Sequence, residues 1–310
     1  MNMKKVYDMI IVGGGPGGYT AALYGARAGL NVLVFEKLSA GGQMALSPMI
    51  DNYPGFEDGI DGFSLGEKML AGAQRFGAES LLAEVTELQL DAPVKIVRTT
   101  EGDFEAPVVI IATGADPKNL GLPGEQNLVG RGISHCAACD GMFYTGKTVV
   151  VVGGGNTAAA DALQLSRICE KVIIVHRRDT LRATKVYHQP LLNAPNVEFL
   201  WNSTVSELLQ NGRLTGVKVQ NHITGEEKEI SADGLFVSIG RKPNSSLVQD
   251  QLELDGAGYI VADESTATSL PGVFAVGDVR TKNVRQIVTA AADGAVAAHY
   301  AEEYLASLRQ

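Results

Sequence analysis

Two of the chain's three cysteines stand in His135-Cys136-Ala137-Ala138-Cys139-Asp140, separated by two alanines and followed at once by a carboxylate. A two-residue spacer lets the sulfurs meet in a small disulfide ring or lie side by side as thiols. At a turn or helix start, free backbone N–H groups favour a thiolate and lower its pKa. Asp140 is close enough to relay a proton to whichever sulfur leaves or arrives. Two plainer roles fit the same pair: half of a zinc site, or two small buried residues. Zinc needs two more ligands at similar spacing, and the sequence has neither a second Cys-x-x-Cys nor paired histidines, so no metal is expected. Cys169 has no partner nearby in sequence and reads as a small packing residue.

The composition bounds what surrounds this motif. At 310 residues the chain is long for one core, and two domains are expected. It is 45% hydrophobic and 20% charged, an ordinary globular balance. A formal charge of -9 argues against nucleic acid, which needs a basic surface. Three cysteines cannot build a secreted disulfide framework, and a Cys-x-x-Cys in a reducing compartment is more often catalytic. No apolar run approaches the ~20 residues of a membrane span. Lys4 and Lys5 before Met9-Ile10-Ile11-Val12 faintly resemble a signal peptide, but the run stops at Gly13, too soon for one. A first strand of a cytoplasmic protein, with no membrane partner, is the better reading.

Much of the glycine falls in two copies of one pattern. Met9 to Val12 is a short apolar run, as expected of a strand buried on both faces of a parallel sheet. Gly13-Gly14-Gly15-Pro16-Gly17-Gly18 follows and fits G-x-G-x-x-G; Tyr19 to Ala28 reads as a helix stopped by Gly29, and Asn31 to Phe35 as a second strand ending at Glu36. Such glycines let a pyrophosphate approach the helix N-terminus, and Glu36 can accept hydrogen bonds from ribose hydroxyls. A carboxylate there repels a 2′-phosphate, so this site prefers FAD or NAD to NADP. Gly41-Gly42-Gln43 and Asn52-Tyr53-Pro54-Gly55 can bring backbone and amides to the same ligand, or simply shape loops. Val108 to Ile111 is a further strand, ended by Ala112-Thr113-Gly114, with Pro117 and Pro123 marking a linker.

Thr148 to Val152 repeats the first strand, and Gly153-Gly154-Gly155-Asn156-Thr157-Ala158 repeats the glycine loop with Ala last. A helix from Ala159 to about Ile168 and a strand from Val172 to Val175 follow. Gly13 to Glu36 spans 23 positions, and so does Gly153 to His176. Where the first copy has an acid, the second has His176-Arg177-Arg178, with Arg182 beyond. Guanidinium forks suit a phosphate, so this copy reads as an NADPH site rather than a solvated basic loop. Phe199 to about Val219 alternates weakly, suggesting antiparallel strands. Gly234 to Gly240 mirrors the strand and glycine at Ile110 to Gly114, and Arg241-Lys242-Pro243 marks the exit from this domain. Gly272 to Asp278 is a short strand closed by a Gly-Asp pair, whose Asp278 can bind a ribitol or ribose hydroxyl or cap a turn. Arg285-Gln286 precedes an Ala-rich helix, Thr289 to Leu308, whose start could place N–H groups beside a flavin carbonyl.

Gly41-Gly42-Gln43, Asn52-Tyr53-Pro54-Gly55-Phe56, Cys136-Ala137-Ala138-Cys139-Asp140, His176-Arg177-Arg178-Asp179 and Gly277-Asp278 with Arg285-Gln286 together resemble the low-molecular-weight thioredoxin reductases, over nearly the whole chain and in order. The resemblance implies an α/β fold of two Rossmann-like three-layer dinucleotide-binding domains, the second inserted in the first. An FAD domain would comprise 1–117 and 246–310, and an NADPH domain carrying the Cys-x-x-Cys would comprise 118–245. It implies FAD contacts from Gly13, Gly15, Pro16, Gly18, Glu36, Gly42, Gln43, Asn52, Val85, Ala112, Gly114, Asp278, Arg285, Gln286 and Ile287. NADPH contacts would come from Gly153, Gly155, Asn156, Thr157, His176, Arg177, Arg178, Arg182, Ile239 and Gly240.

In the implied mechanism NADPH reduces the flavin, the flavin opens a Cys136–Cys139 disulfide, and Cys136 attacks the disulfide of a thioredoxin. Cys139 faces the flavin and Asp140 is the acid. A homodimer is implied, as is a rotation of the NADPH domain on hinges near Pro117 and Pro243. The family often carries acidic residues after the second glycine loop; here Asp161 remains and its neighbour is Ala160. Related dithiol oxidases and ferredoxin-fed enzymes should lack the His176-Arg177-Arg178 clamp. Ferredoxin–NADP reductases of this layout lack the Cys-x-x-Cys, and the peroxiredoxin-reducing relatives match only after an N-terminal redox extension. From another class, a flavin-bound redox sensor would show no turnover.

Overall fold

The computed structural model describes residues 7–47 and 49–309; Lys4 and Lys5 lie outside them. The chain divides into two compact units, Met1–Asp116 with Lys242–Gln310, and Pro117–Arg241.

The first unit is built on a five-stranded sheet ordered Val273–Ala275, Val108–Ile111, Met9–Val12, Val32–Glu36, Glu79–Leu82. All neighbours in it are parallel. Its central strands are apolar throughout because both faces are covered. Met9 and Ile11 pack with Tyr19, Ala22, Ala297 and Leu305 of the two helices Pro16–Arg27 and Ile287–Ser307. Ile10 and Val12 point the other way, into a core shared with Leu88 and Val97 of a three-stranded antiparallel sheet, Val85–Gln89, Lys95–Thr99 and Gly102–Ala106. Helices, sheet and meander are the three layers.

The second unit repeats this plan. Its parallel sheet runs Val197–Leu200, Lys171–Val175, Thr148–Val152, Gly234–Val237, Ile133–Ser134. Val149 and Val151 face the helix Asn156–Leu165, and Val150 and Val152 face a meander of Ser203–Gln210, Leu214–Asn221 and Glu227–Ser231. Two α/β units of one plan are present, each with the edge strand of its parallel sheet, Glu79–Leu82 or Val197–Leu200, leading into the meander.

Four expectations shift. The helix expected from Tyr19 begins at Pro16, and the one expected from Ala159 begins at Asn156. Glycines capable of ending a helix instead cap it, and Pro16 at the first turn loses no donor the helix would have used. The C-terminal helix begins at Ile287 rather than Thr289, because Gln286 and Thr289 form a reciprocal capping box. Phe199 and Leu200 do not join the antiparallel strands. They close a parallel edge against Ile174 and Val175, since the helix His188–Asn193 returns the chain by a crossover. No described helix is long and apolar enough to cross a membrane.

Candidate functional site

In the second unit, Cys136 is the N-cap of a single helical turn, Ala137–Asp140, and its Sγ is bonded to that of Cys139. The Cys139 N–H points at Cys136 Sγ from 3.1 Å. A negative sulfur at Cys136 therefore has a donor already in place. Ser134, at the end of the short strand before the turn, accepts the Cys136 N–H at 3.0 Å and donates its hydroxyl to Asp140 Oδ2 at 2.6 Å. Burial pushes the Asp140 carboxyl above the ordinary carboxylate value, against the opposing effects of Ser134 and His135. Burial also lowers the His135 pKa, favouring its neutral form. The turn thus holds a disulfide beside an acid disposed to keep its proton.

Asp161, on the neighbouring helix, supports this turn. Ser238 Oγ donates to Asp161 Oδ2 at 2.5 Å, the Ala137 N–H interacts with the same carboxylate, and Gln164 Nε2 donates to Ala137 O at 3.4 Å. Ala137, between the cysteines, is held at both its N–H and its carbonyl. Sequence reasoning noted Asp161 only as the remaining acid of a motif and missed Ser134. A hydroxyl two residues before a Cys-x-x-Cys is the signal that could have found it. Cys169 is buried, and burial raises its thiol to about 11.

The second glycine loop lies in the same unit. A Cβ on Gly153 would meet Ser238 O at 2.4 Å, and one on Gly154 would meet the His176 ring at 2.2 Å. Nothing lies within 4 Å of the corresponding point on Gly155, and no side chain caps the helix that starts at Asn156. The first turn is therefore open to an anion, as a dinucleotide pyrophosphate requires. The loop after the second strand folds back over it. Arg182 N–H and Ala183 N–H both donate to Gly154 O, at 2.7 and 3.1 Å, and Thr184 N–H donates to Asn156 Oδ1 at 2.8 Å. Arg177, Arg178 and Arg182 are exposed around this loop, as is Thr157.

His176 differs from its arginine neighbours in its burial. It is 4% exposed, and burial first, then the Arg182, Arg177 and Arg178 charges, lowers its pKa. It supports Gly154 as a neutral ring, with a buried Nε2 that has no partner. Ile239 is exposed, and Gly240 accepts the Lys118 N–H at 3.0 Å.

The first unit presents the matching loop. Gly13 has φ +109, and a Cβ there would lie 2.4 Å from Ala112 O; one on Gly18 would lie 1.9 Å from Gly13 O. Gly15 is open but for Gly41 O at 4.0 Å, and the helix beginning at Pro16 has no side-chain cap. Glu36 Oε2 accepts the Gly14 N–H at 2.8 Å, and Oε1 accepts those of Lys37 and Leu38. Gly41 N–H donates to Gly14 O at 2.9 Å, which brings Gly42 against the loop, 3.5 Å from Gly15 Cα by its missing Cβ. Gln43 Nε2 donates to Asp116 Oδ1 at 2.7 Å. Val85 follows Ala83, whose N–H donates to Glu36 O at 2.9 Å. Gly114 accepts the Asn244 N–H at 2.9 Å.

Residues distant in sequence join the same end of this unit. Asn52 Nδ2 donates to Gln286 Oε1 at 3.2 Å, and Gln286 caps the helix that Ile287 begins. Asp278 lies in the turn Gly277–Val279. The Arg285 guanidinium lies over the Tyr259 ring, 4.1 Å from its centroid, with a buried Nε that has no partner. Tyr259 carried no signal in the sequence. An open helix N-terminus, an acid under the glycine loop and an unfilled guanidinium donor fit a flavin dinucleotide.

A family model described as pyridine nucleotide-disulphide oxidoreductase matches residues 7–294. A thioredoxin reductase of Streptomyces clavuligerus is 47% identical over 309 residues, covering 99% of this chain and 96% of the relative. One from Listeria monocytogenes is 44% identical over 308 residues, covering 99% and 96%. Among solved structures, a thioredoxin reductase from Streptococcus pyogenes superposes with TM-score 0.91 at 40% identity, covering 98% of this chain and all of that one. One from Giardia duodenalis gives 0.90 at 35%, with 98% and 100% covered. A match that runs from the first strand through both glycine loops and the disulfide turn to the C-terminal helix leaves one assignment: the chain belongs to the pyridine nucleotide-disulphide oxidoreductase family.

Proposed function

We propose that the protein is an NADPH-dependent thioredoxin-disulfide reductase with FAD as its second cofactor. The carrying observation is the Cys136–Cys139 disulfide at a helix start, beside a buried acid, in the unit whose glycine loop is ringed by arginines. Segments 1–117 and 246–310 are the FAD-binding part in this reading, and 118–245 the NADPH-binding part. Gly13, Gly15, Gly18, Glu36, Asp278, Arg285 and the start of the helix at Ile287 would hold FAD. Gly153, Gly155, Thr157, Arg177, Arg178 and Arg182 would hold NADPH, with His176 supporting the loop from below. Bound together, the two cofactors supply a two-electron reductant for the disulfide.

The chain's own residues do the rest. Two electrons and one proton, the proton from Asp140, cleave the S–S bond and leave Cys139 as a thiol and Cys136 as a thiolate held by the Cys139 N–H. Cys136 Sγ attacks the disulfide of thioredoxin and releases one of its thiols. Cys139 then attacks the mixed disulfide, re-forms the Cys136–Cys139 bond and releases the second thiol. One substrate disulfide takes up two electrons and two protons. Exposed Met142 and Phe143, directly after the turn, suit a protein surface rather than a small molecule. Leu38, Leu46 and Phe63 are exposed on the first unit and support a homodimer. A cytoplasmic location, where thioredoxin-type thiols are kept reduced, completes the reading.

Anaerobic titration of the yellow protein with NADPH, then with NADH, tests it. Bleaching by NADPH alone, reversed by oxidised thioredoxin, is the expected result. Absence of bleaching by either nucleotide overturns it in favour of a dithiol- or ferredoxin-fed flavoprotein.

A further inference from the structure

Asp293 is a charged residue inside the C-terminal helix, 7% exposed, in a stretch otherwise made of Ala, Gly and Val. Four donors reach its carboxylate. Oδ2 takes the Gly277 N–H at 2.9 Å, Arg280 Nε at 2.9 Å and Lys282 Nζ at 2.7 Å, and Oδ1 takes Arg280 Nη2 at 2.8 Å. Arg280 is 9% exposed, and its Nη1 is shared among the carbonyls of Ala262, Asp263 and Thr281. Lys282 Nζ also donates to Thr289 O at 3.2 Å, and the Arg280 carbonyl accepts Arg285 Nη2 at 3.3 Å.

A buried ion cluster of this kind gains little over apolar residues of equal volume, because all three charges give up hydration. Its arrangement shows what it secures instead. The Gly277 N–H belongs to a turn at φ +72 and needs an acceptor that no apolar side chain provides. On one side the cluster fixes the turn that presents Asp278; on the other, through the Arg280 carbonyl and Lys282, it fixes Arg285 and the helix start at Gln286 and Ile287. Arg285 keeps one buried Nε unfilled while its guanidinium is held by the Arg280 carbonyl and the Tyr259 ring.

We infer that Asp293 is a positioning residue for flavin binding, setting the Gly277–Asp278 turn and the Arg285–Gln286 strap in one rigid frame. This rests on the reading that the first unit takes FAD. Burial opposes the Asp293 charge, but hydrogen bonds from Arg280 and Lys282 outweigh it and hold the carboxyl below its ordinary value.

FAD dissociation constants of wild-type protein, Asp293→Asn and Lys282→Met, read by flavin fluorescence after removal and re-addition of FAD, provide the test. Asp293→Asn offers one neutral oxygen to four donors, and FAD binding should weaken about tenfold or more. Lys282→Met keeps the aliphatic stem and the Asp293–Arg280 pair, and should weaken it about threefold. KM for NADPH should stay within twofold of wild type in both. If both variants bind FAD within twofold of wild type while unfolding at lower temperature, the cluster is scaffold only and the inference fails. Should Asp293→Asn not fold, unchanged FAD binding in Lys282→Met overturns it by itself. A wild-type protein that does not rebind FAD would instead refute the functional reading on which the inference stands.

Discussion

The two glycine loops share a register and differ at one decisive position. In the first unit the residue 23 places after the leading glycine is Glu36, whose carboxylate accepts three backbone N–H groups, that of Gly14 among them. In the second it is His176, a neutral ring packed under Gly154 that accepts nothing at Nε2. The acid in the first copy props its loop and, in the proposed function, is also the ligand; in the second the roles are split. His176 is the prop, and the exposed Arg177, Arg178 and Arg182 supply the charge. One backbone template therefore serves two nucleotides. In the proposed function the glycines fix the pyrophosphate's approach, and the tip of the second strand selects hydroxyls or phosphate.

The largest effect expected from breaking this contrast is on the second copy. Removing two charge-assisted phosphate contacts at about 1.5–3 kcal/mol each should raise KM for NADPH about 100-fold or more in an Arg177→Ala, Arg178→Ala double variant. KM for NADH should barely move, so a steady-state comparison of the two nucleotides reads the split directly. Equal losses for both would mean that the arginines support the loop and do not read the phosphate.

The first copy should respond less. Glu36→Gln keeps one oxygen and loses the charge that binds the Gly14, Lys37 and Leu38 N–H groups. FAD binding should weaken about tenfold, as equilibrium titration of the stripped protein would show. An unchanged FAD constant would indicate that Glu36 only shapes the loop.

The smallest effect distinguishes the props themselves. The folded-state pKa of His176 lies below its ordinary value of 6.5, so between the two values the unfolded chain binds more protons than the folded one. The stability owed to the neutral ring is full above 6.5 and is lost as pH falls through the folded-state pKa. His176→Gln should flatten that part of the curve in urea unfolding between pH 5 and 8. An unaltered slope would show that other groups carry it.

Much of this was readable from the chain. The apolar runs at Met9–Val12 and Thr148–Val152 became central parallel strands because a strand covered on both faces has no polar side to show. The helix starts at Pro16 and Asn156 were read three residues late, since glycines and proline favour turns as readily as first helical turns. The strand Val197–Leu200 was merged with the meander, because alternation alone does not tell a parallel edge from an antiparallel one. Tyr259 and Asp293 were illegible. Each acts on a partner chosen by packing, not by a recurring spacing.

The sequence by itself determined the two-fold plan, the order of the strands along each copy, the location of the cysteine pair and the sign of charge at each nucleotide loop. These are local properties, carried by residue type and by periods of a few positions. Tertiary structure alone decided that His176 is buried while Arg177 is exposed, that Asn52 meets Gln286 across 234 positions, and that one carboxylate of the last helix gathers Gly277, Arg280 and Lys282. Burial and long-range hydrogen bonding depend on which surfaces close over a group, and that is settled only when the sheets and helices pack.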